Sequence, residues 1–104
     1  MVYTVNSADY VHGKREEALE FLKKAVSQFK KFGVEVEIMR MTTPGPGQHA
    51  RFWTLHKYAS PVEMAEIGQK NREDAEWMAT VRAAHAPGGC MAYNTFTSNN
   101  FQVL

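Results

Sequence analysis

Two hydrophobic periodicities and one capping signature place this 104-residue chain in the α+β class, as four strands and two helices in the order βαββαβ. Apolar residues recur every three to four positions after Lys14. Strict alternation runs through Val34-Glu35-Val36-Glu37-Ile38, and Ser60-Pro61-Val62-Glu63 marks the start of a second helix. A four-stranded antiparallel sheet with two helices on one face, the ferredoxin-like arrangement, is the simplest way to satisfy that order.

Each element has its own signal. Val2-Tyr3-Thr4-Val5 mixes β-branched and aromatic residues and predicts the first strand, and Gly13 punctuates the chain before the first helix. Ala18, Leu19, Leu22, Ala25, Val26 and Phe29 form that helix's apolar stripe. Glu16, Glu17 and Glu20 sit toward its positive end, lysines follow, and Gly33 is a natural stop. The second strand runs from Val34 to about Met41, and Thr42-Thr43-Pro44-Gly45-Pro46-Gly47 is expected to be a hairpin loop. His49 to Tyr58 reads as the third strand. Ser60 as N-cap, Pro61 in the first turn and Glu63 completing a capping box open the second helix. Its polar stretch Gln69 to Glu76 predicts a break or bulge, and Pro87-Gly88-Gly89 ends it. Met91 to Thr97 is predicted as the last strand, with Ser98 to Leu104 as a tail.

Composition narrows the function classes. Length suits one domain over 1–104, and 44% hydrophobic with 22% charged residues is ordinary for a globular chain. Twelve Lys+Arg against eleven Asp+Glu give a net charge of +1, which argues against a nucleic-acid clamp. The apolar runs are too short for a membrane span, and the first residues lack the pattern of a secretory signal, so a cytoplasmic location is expected. A single cysteine excludes an intrachain disulfide and a Cys-based zinc site.

Two helices cover one sheet face, yet both faces of the strands carry large apolar side chains. On the third strand Phe52, Thr54, His56 and Tyr58 oppose Arg51, Trp53, Leu55 and Lys57, so strand parity stays open. An uncovered face of that content is an aggregation hazard. A homodimer, packed sheet to sheet into a closed barrel, would bury it. The apolar tail, with Phe101, Val103 and Leu104, is expected either to reach over the partner or to tuck under its own subunit.

Three segments, in order along the chain, resemble the NIPSNAP family of the dimeric α/β-barrel superfamily. Val11-His12-Gly13-Lys14 is similar to its x-Pro-Gly-Lys approach to the first helix. Leu55-His56-Lys57-Tyr58-Ala59-Ser60 is similar to its Trp-x-Tyr-x-Ser strand, and Asp74-Ala75-Glu76-Trp77 to its Asp-Pro-Glu-Trp segment. His56 replaces the usual Trp and Ala75 the usual Pro, and the family's Arg-x-Tyr is missing from the first strand. The resemblance implies a small-molecule-binding barrel. Its superfamily includes antibiotic-biosynthesis monooxygenases, haem-degrading monooxygenases and muconolactone-isomerase-like enzymes. It therefore implies a cofactor-independent monooxygenase or an isomerase acting on a hydrophobic or aromatic metabolite. A non-catalytic homodimeric binding or interaction module is the alternative.

The candidate site residues follow. His56, mid-strand in an apolar surround, is the candidate general base, with Tyr58 or Arg40 as an oxyanion partner; a hydrogen-bonded structural histidine is the other reading. Phe52, Trp53, Trp77, Tyr93 and His85 are candidate pocket residues, or else simply core and interface. No cofactor is expected. Haem is the one worth testing, because Asn6, Trp77 and His85 resemble the trio of haem-degrading relatives, although the spacing sets Trp77 close to His85. His85 also reads as a helix C-terminal cation. Cys90 reads as a small buried residue, His12 and His49 as solvated, and the glycine pairs as loops without phosphate-binding partners.

Overall fold

The computed structural model describes residues 1–43, 45–46, 50–92 and 94–104. Expectations for Pro44, Gly47, His49 and Tyr93 lie outside the described residues. The elements are β1 (Val2–Asp9), α1 (Arg15–Lys30), β2 (Glu35–Met39), β3 (Arg51–Tyr58), α2 (Pro61–Glu73), α3 (Ala75–His85) and β4 (Thr97–Gln102). The sheet order is β2-β3-β1-β4, every pair antiparallel, which is the ferredoxin-like arrangement.

Among the described residues the helix layer has three helices rather than two. The polar stretch that predicted a break contains Asp74, whose Oδ1 accepts from the Trp77 N–H at 3.0 Å and so caps α3. The segment Asp74-Ala75-Glu76-Trp77 is thus a helix start, and a family proline at the position of Ala75 would occupy the first helical turn, where its missing N–H is harmless. Gln28 Nε2 and Lys31 Nζ from α1 reach the other oxygen at 2.9 and 3.3 Å. These hydrogen bonds, the Trp77 N–H foremost, hold the Asp74 carboxyl down at about 2.

The capping signature at Ser60 forms as read. Ser60 Oγ accepts from the Glu63 N–H at 3.1 Å, while the Glu63 carboxylate reaches back to the Ala59 N–H at 3.2 Å. Ser60→Ala is expected to cost about 1 kcal/mol, a fall of several degrees in Tm for a domain of this size, measurable by calorimetry. At the end of α1, Gly33 takes φ +81°, and the Gly33 and Val34 amides close onto the Lys30 and Phe29 carbonyls.

The last strand corrects the sequence reading. Met91 makes an isolated bridge to Tyr10, and the Ala92 N–H donates to the Asp9 carbonyl, so pairing with β1 starts where predicted. It is then interrupted. Asn94 turns the chain with φ 59°, and Thr95 Oγ1 takes the Asp9 N–H at 3.0 Å that a ladder carbonyl would otherwise accept. Pairing resumes at Thr97 opposite Ser7 and continues to Gln102 opposite Val2. Most of the expected tail is therefore the edge strand, and it lies against its own subunit.

Burial settles the parity. Phe52, Thr54, His56 and Tyr58 are buried under the helices with Val2, Thr4, Ala8 and Val36. One core cluster joins Ala8, Ala18, Leu22, Phe52, Ala84, Cys90 and Met91; a second joins Val34, Val36, Tyr58 and Ile67. The register places Tyr3, Val5, Met39, Trp53, Leu55 and Phe101 on the opposite face.

Candidate functional site

β1 and β3 form the floor of a cavity, α1 and α3 its roof, and residues before β4 one side of its mouth. Its volume is about 190 Å³. The floor carries Asn6, Phe52, Thr54 and His56; the roof carries Phe21, Leu22, Phe29, Trp77, Val81 and His85; Met91 and Phe96 complete the wall. An apolar cavity of about 150 Å³ accommodates benzene. The space therefore suits one six-membered ring with small substituents, below the roughly 300–1,000 Å³ of drug-sized sites.

Aromatic rings shape the mouth. Trp77 stacks on Phe21 with centroids 6.0 Å apart. His85, the last residue of α3, meets the edges of Phe21 at 5.9 Å and Phe96 at 5.8 Å. Burial lowers the His85 pKa from its ordinary value.

His56 lies deeper, opposite Thr4 on β1 and Val36 on β2, and is 3% exposed. Phe29 packs edge-on against its ring at 4.5 Å. Desolvation lowers its pKa to about 4, so it is neutral at pH 7. Its Nε2 lies 2.9 Å from Thr54 Oγ1 and 3.2 Å from Asn6 Nδ2. His56 Nδ1 and Asn6 Oδ1 are buried without a partner among the described residues. If the amide donates to Nε2, the orphans are an N–H and a carbonyl oxygen. Turning the amide around and moving the ring proton exchanges their roles. Either way one donor and one acceptor are left unpaired.

Phe52, His56, Trp77 and His85 thus come together around one cavity, as does Asn6. Tyr58 shares the His56 face, its ring stacked at 6.5 Å, but it belongs to the second core cluster and does not line the cavity. Burial first, and the Glu63 carboxylate second, push its phenol up to about 12. Arg40 is exposed just beyond β2. Trp53 is on the far face of the sheet, with the Arg51 guanidinium 6.0 Å from its ring, and Tyr93 lies outside the described residues. Phe21 was missed at the sequence level. Its spacing of three from Ala18 and four from Ala25 puts it on the helix stripe, at the edge that overhangs the cavity. Phe96, read as part of a strand, reaches the mouth because the ladder is interrupted there.

The other candidates are placed as follows. Cys90 is buried and its thiol is pushed up, chiefly by desolvation, while His12 is exposed. A larger groove of about 460 Å³ between α1 and α3 is lined mainly by charged and polar groups. Two of its lysines are already paired, Lys31 with Asp74 and Lys23 with Glu20. Among the described residues no cluster of His, Cys, Asp or Glu could hold a metal ion, and no helix is long and apolar enough to cross a membrane. Asn6, Trp77 and His85 do share one cavity despite the short Trp77–His85 spacing, but the residues do not fit haem. The macrocycle exceeds the drug-sized ligands that already need more than this volume.

No protein-family model and no curated protein matches the sequence. Solved structures do match. A NIPSNAP domain protein from Burkholderia xenovorans is 11% identical with a TM-score of 0.73, over 100% of this chain and 95% of that one. A NIPSNAP family protein from Agrobacterium tumefaciens is 17% identical with a TM-score of 0.68, over 97% and 90%. An antibiotic biosynthesis monooxygenase is 7% identical with a TM-score of 0.70, over 100% and 99%. At these identities the likeness is one of architecture: the chain has the fold shared by NIPSNAP proteins and antibiotic biosynthesis monooxygenases.

Proposed function

We propose that this chain is a small-molecule-binding protein that takes a one-ring hydrophobic or aromatic metabolite between its sheet and its helices and removes a carbon-bound proton from it. The observation that carries this reading is the largely apolar cavity of about 190 Å³ with two imidazoles in its wall. Proton removal is the opening step of both chemistries that the sequence resemblance implies. In an isomerase the proton returns to a different carbon. In a cofactor-independent monooxygenase the carbanion reduces dioxygen itself; a methylene becomes a carbonyl, and its two hydrogens leave with the second oxygen atom as water. The mainly apolar lining limits the water around the carbanion in either case.

The same reading includes a homodimer. Tyr3, Val5, Met39, Trp53, Leu55 and Phe101 share the sheet face that no helix among the described residues covers. A second copy packed face to face would bury that surface and close the barrel, while each cavity stays within its own subunit.

The test is amide chemical-shift mapping with 2-cyclohexenone and phenol as probes and anthracene as a size control. The two one-ring probes are expected to shift the amides of Asn6, Phe52, Trp77 and Val81, with no effect from anthracene. Shifts scattered elsewhere, or none, would refute the cavity reading. Binding with no exchange of probe protons for solvent deuterium would instead make the chain a non-catalytic binding module.

A further inference from the structure

The geometry points to His85, rather than the more deeply buried His56, as the proton acceptor for the cavity's ligand, an inference that rests on the ligand-binding reading above. These two histidines are the titratable groups among the fifteen residues that line the cavity. They differ in what their ring nitrogens can reach.

Neither nitrogen of His56 is offered to a ligand. Nε2 is held by Thr54 and Asn6 at 2.9 and 3.2 Å, and Nδ1 is enclosed by protein atoms. A proton taken up there would create a deeply buried cation with no carboxylate among the described residues that line the cavity. Thr54 and Asn6 instead fix the ring as part of the floor.

His85 has the complementary properties. It lines the same cavity and is only half-buried, beside the exposed Phe96. Its ring nitrogens make no hydrogen bond to any described residue, while the Phe21 and Phe96 rings pack nearly perpendicular to it with centroids 5.9 and 5.8 Å away. The ring is thereby oriented by packing and its nitrogens stay free, which is the arrangement a proton acceptor needs. The cation formed on proton uptake stands at the C-terminal end of α3, where the helix dipole favours positive charge. Arg82, one turn back, opposes that cation, but its side chain is exposed and solvent weakens the repulsion.

The step balances without a further reactant. A ligand C–H bond next to a carbonyl breaks, its electron pair stays on the ligand as an enolate, and the proton moves to a His85 nitrogen. At the mouth that proton exchanges with solvent, and it returns to the same carbon or to the conjugated one. The ligand class is therefore a one-ring enone or enolisable ketone.

The experiment follows exchange of the 2-cyclohexenone C–H protons for deuterium by NMR, with binding read separately by saturation-transfer difference. His85→Gln is expected to slow exchange by about 100-fold or more while binding changes less than about threefold. His12→Gln, at an exposed histidine that does not line the cavity, is expected to leave both exchange and binding unchanged. Wild-type exchange in His85→Gln overturns the assignment and leaves the cavity reading standing. Binding without exchange in the wild type also overturns it. Failure of the wild type to bind the probe refutes the cavity reading itself.

Discussion

Lowering the pH from 7 to 4 is expected to destabilise the fold by about 3 kcal/mol through His56 alone. The folded-state pKa of about 4 lies some 2.5 units below the ordinary 6.5, and each unit is worth about 1.4 kcal/mol. The unfolded chain takes up its proton as pH falls below 6.5, whereas the folded chain does so only near 4. Between those values the unfolded state binds more protons, so stability is complete above 6.5, falls with a slope approaching 1.4 kcal/mol per pH unit, and levels off below 4. Asp74, held down at about 2, adds its own acid sensitivity only below the ordinary 3.8, outside this window. His56→Phe removes the titration. It also strips Thr54 and the Asn6 amide of their hydrogen-bond partner, at roughly 1–3 kcal/mol for each buried group left unpaired. The variant should therefore be the less stable protein at pH 7 and lose much of that deficit by pH 4. Urea unfolding at several pH values reads the difference directly. A wild-type-minus-variant difference that does not change with pH would mean that His56 is not desolvated as the fold places it.

Leu55→Arg is expected to abolish the proposed dimer. Leu55 stands opposite Val5 on one side and Glu37 on the other, in the middle of the helix-free face. Two-fold pairing of sheets would bring two guanidinium groups into one apolar interface, at several kcal/mol for each ion left without a partner. Every 1.4 kcal/mol is tenfold in affinity, so dissociation should increase by more than about 10³-fold. Sedimentation equilibrium should then report a species near the chain mass of 11.8 kDa in place of one at twice that mass. Because the substitution lies on the far side of the sheet, probe binding in the cavity should persist. A wild type that remains monomeric at all concentrations would refute the dimer.

The capping signatures and the alternation of β3 were legible because each is a local rule with a local cause. Ser60-Pro61-Val62-Glu63 folds as a cap since its hydrogen bonds join neighbours in sequence. The polar stretch after Gln69 announced a discontinuity for the same kind of reason, although its agent, Asp74, is apparent only once Gln28 and Lys31 from α1 are seen to meet it. The last strand was misplaced because Met91-Ala92 does begin the pairing; only the side chain of Thr95, reaching back to Asp9, shows that the ladder then lets go. His56 stood out in the sequence as a polar residue on an apolar face, and its burial follows from that position. Its contact with Thr54, two residues back, follows the alternation, but its contact with Asn6 depends on β1, fifty residues away, and no spacing rule reaches so far. For the same reason Tyr58 shares its strand face without sharing its cavity.

The interruption before β4 has a consequence for how this architecture can vary. Asn94 to Phe96 stand outside the ladder, and within that stretch the side chain of Thr95 is what ties it to Asp9. A residue gained or lost there would move the wall at Phe96 without turning Thr97–Gln102 over, since the strand is re-anchored at Ser7 beyond the excursion. The aperture of the cavity and the pairing of the sheet are thus separately adjustable. A lineage could retune the size of molecule admitted through this short stretch while the scaffold beneath it stayed fixed.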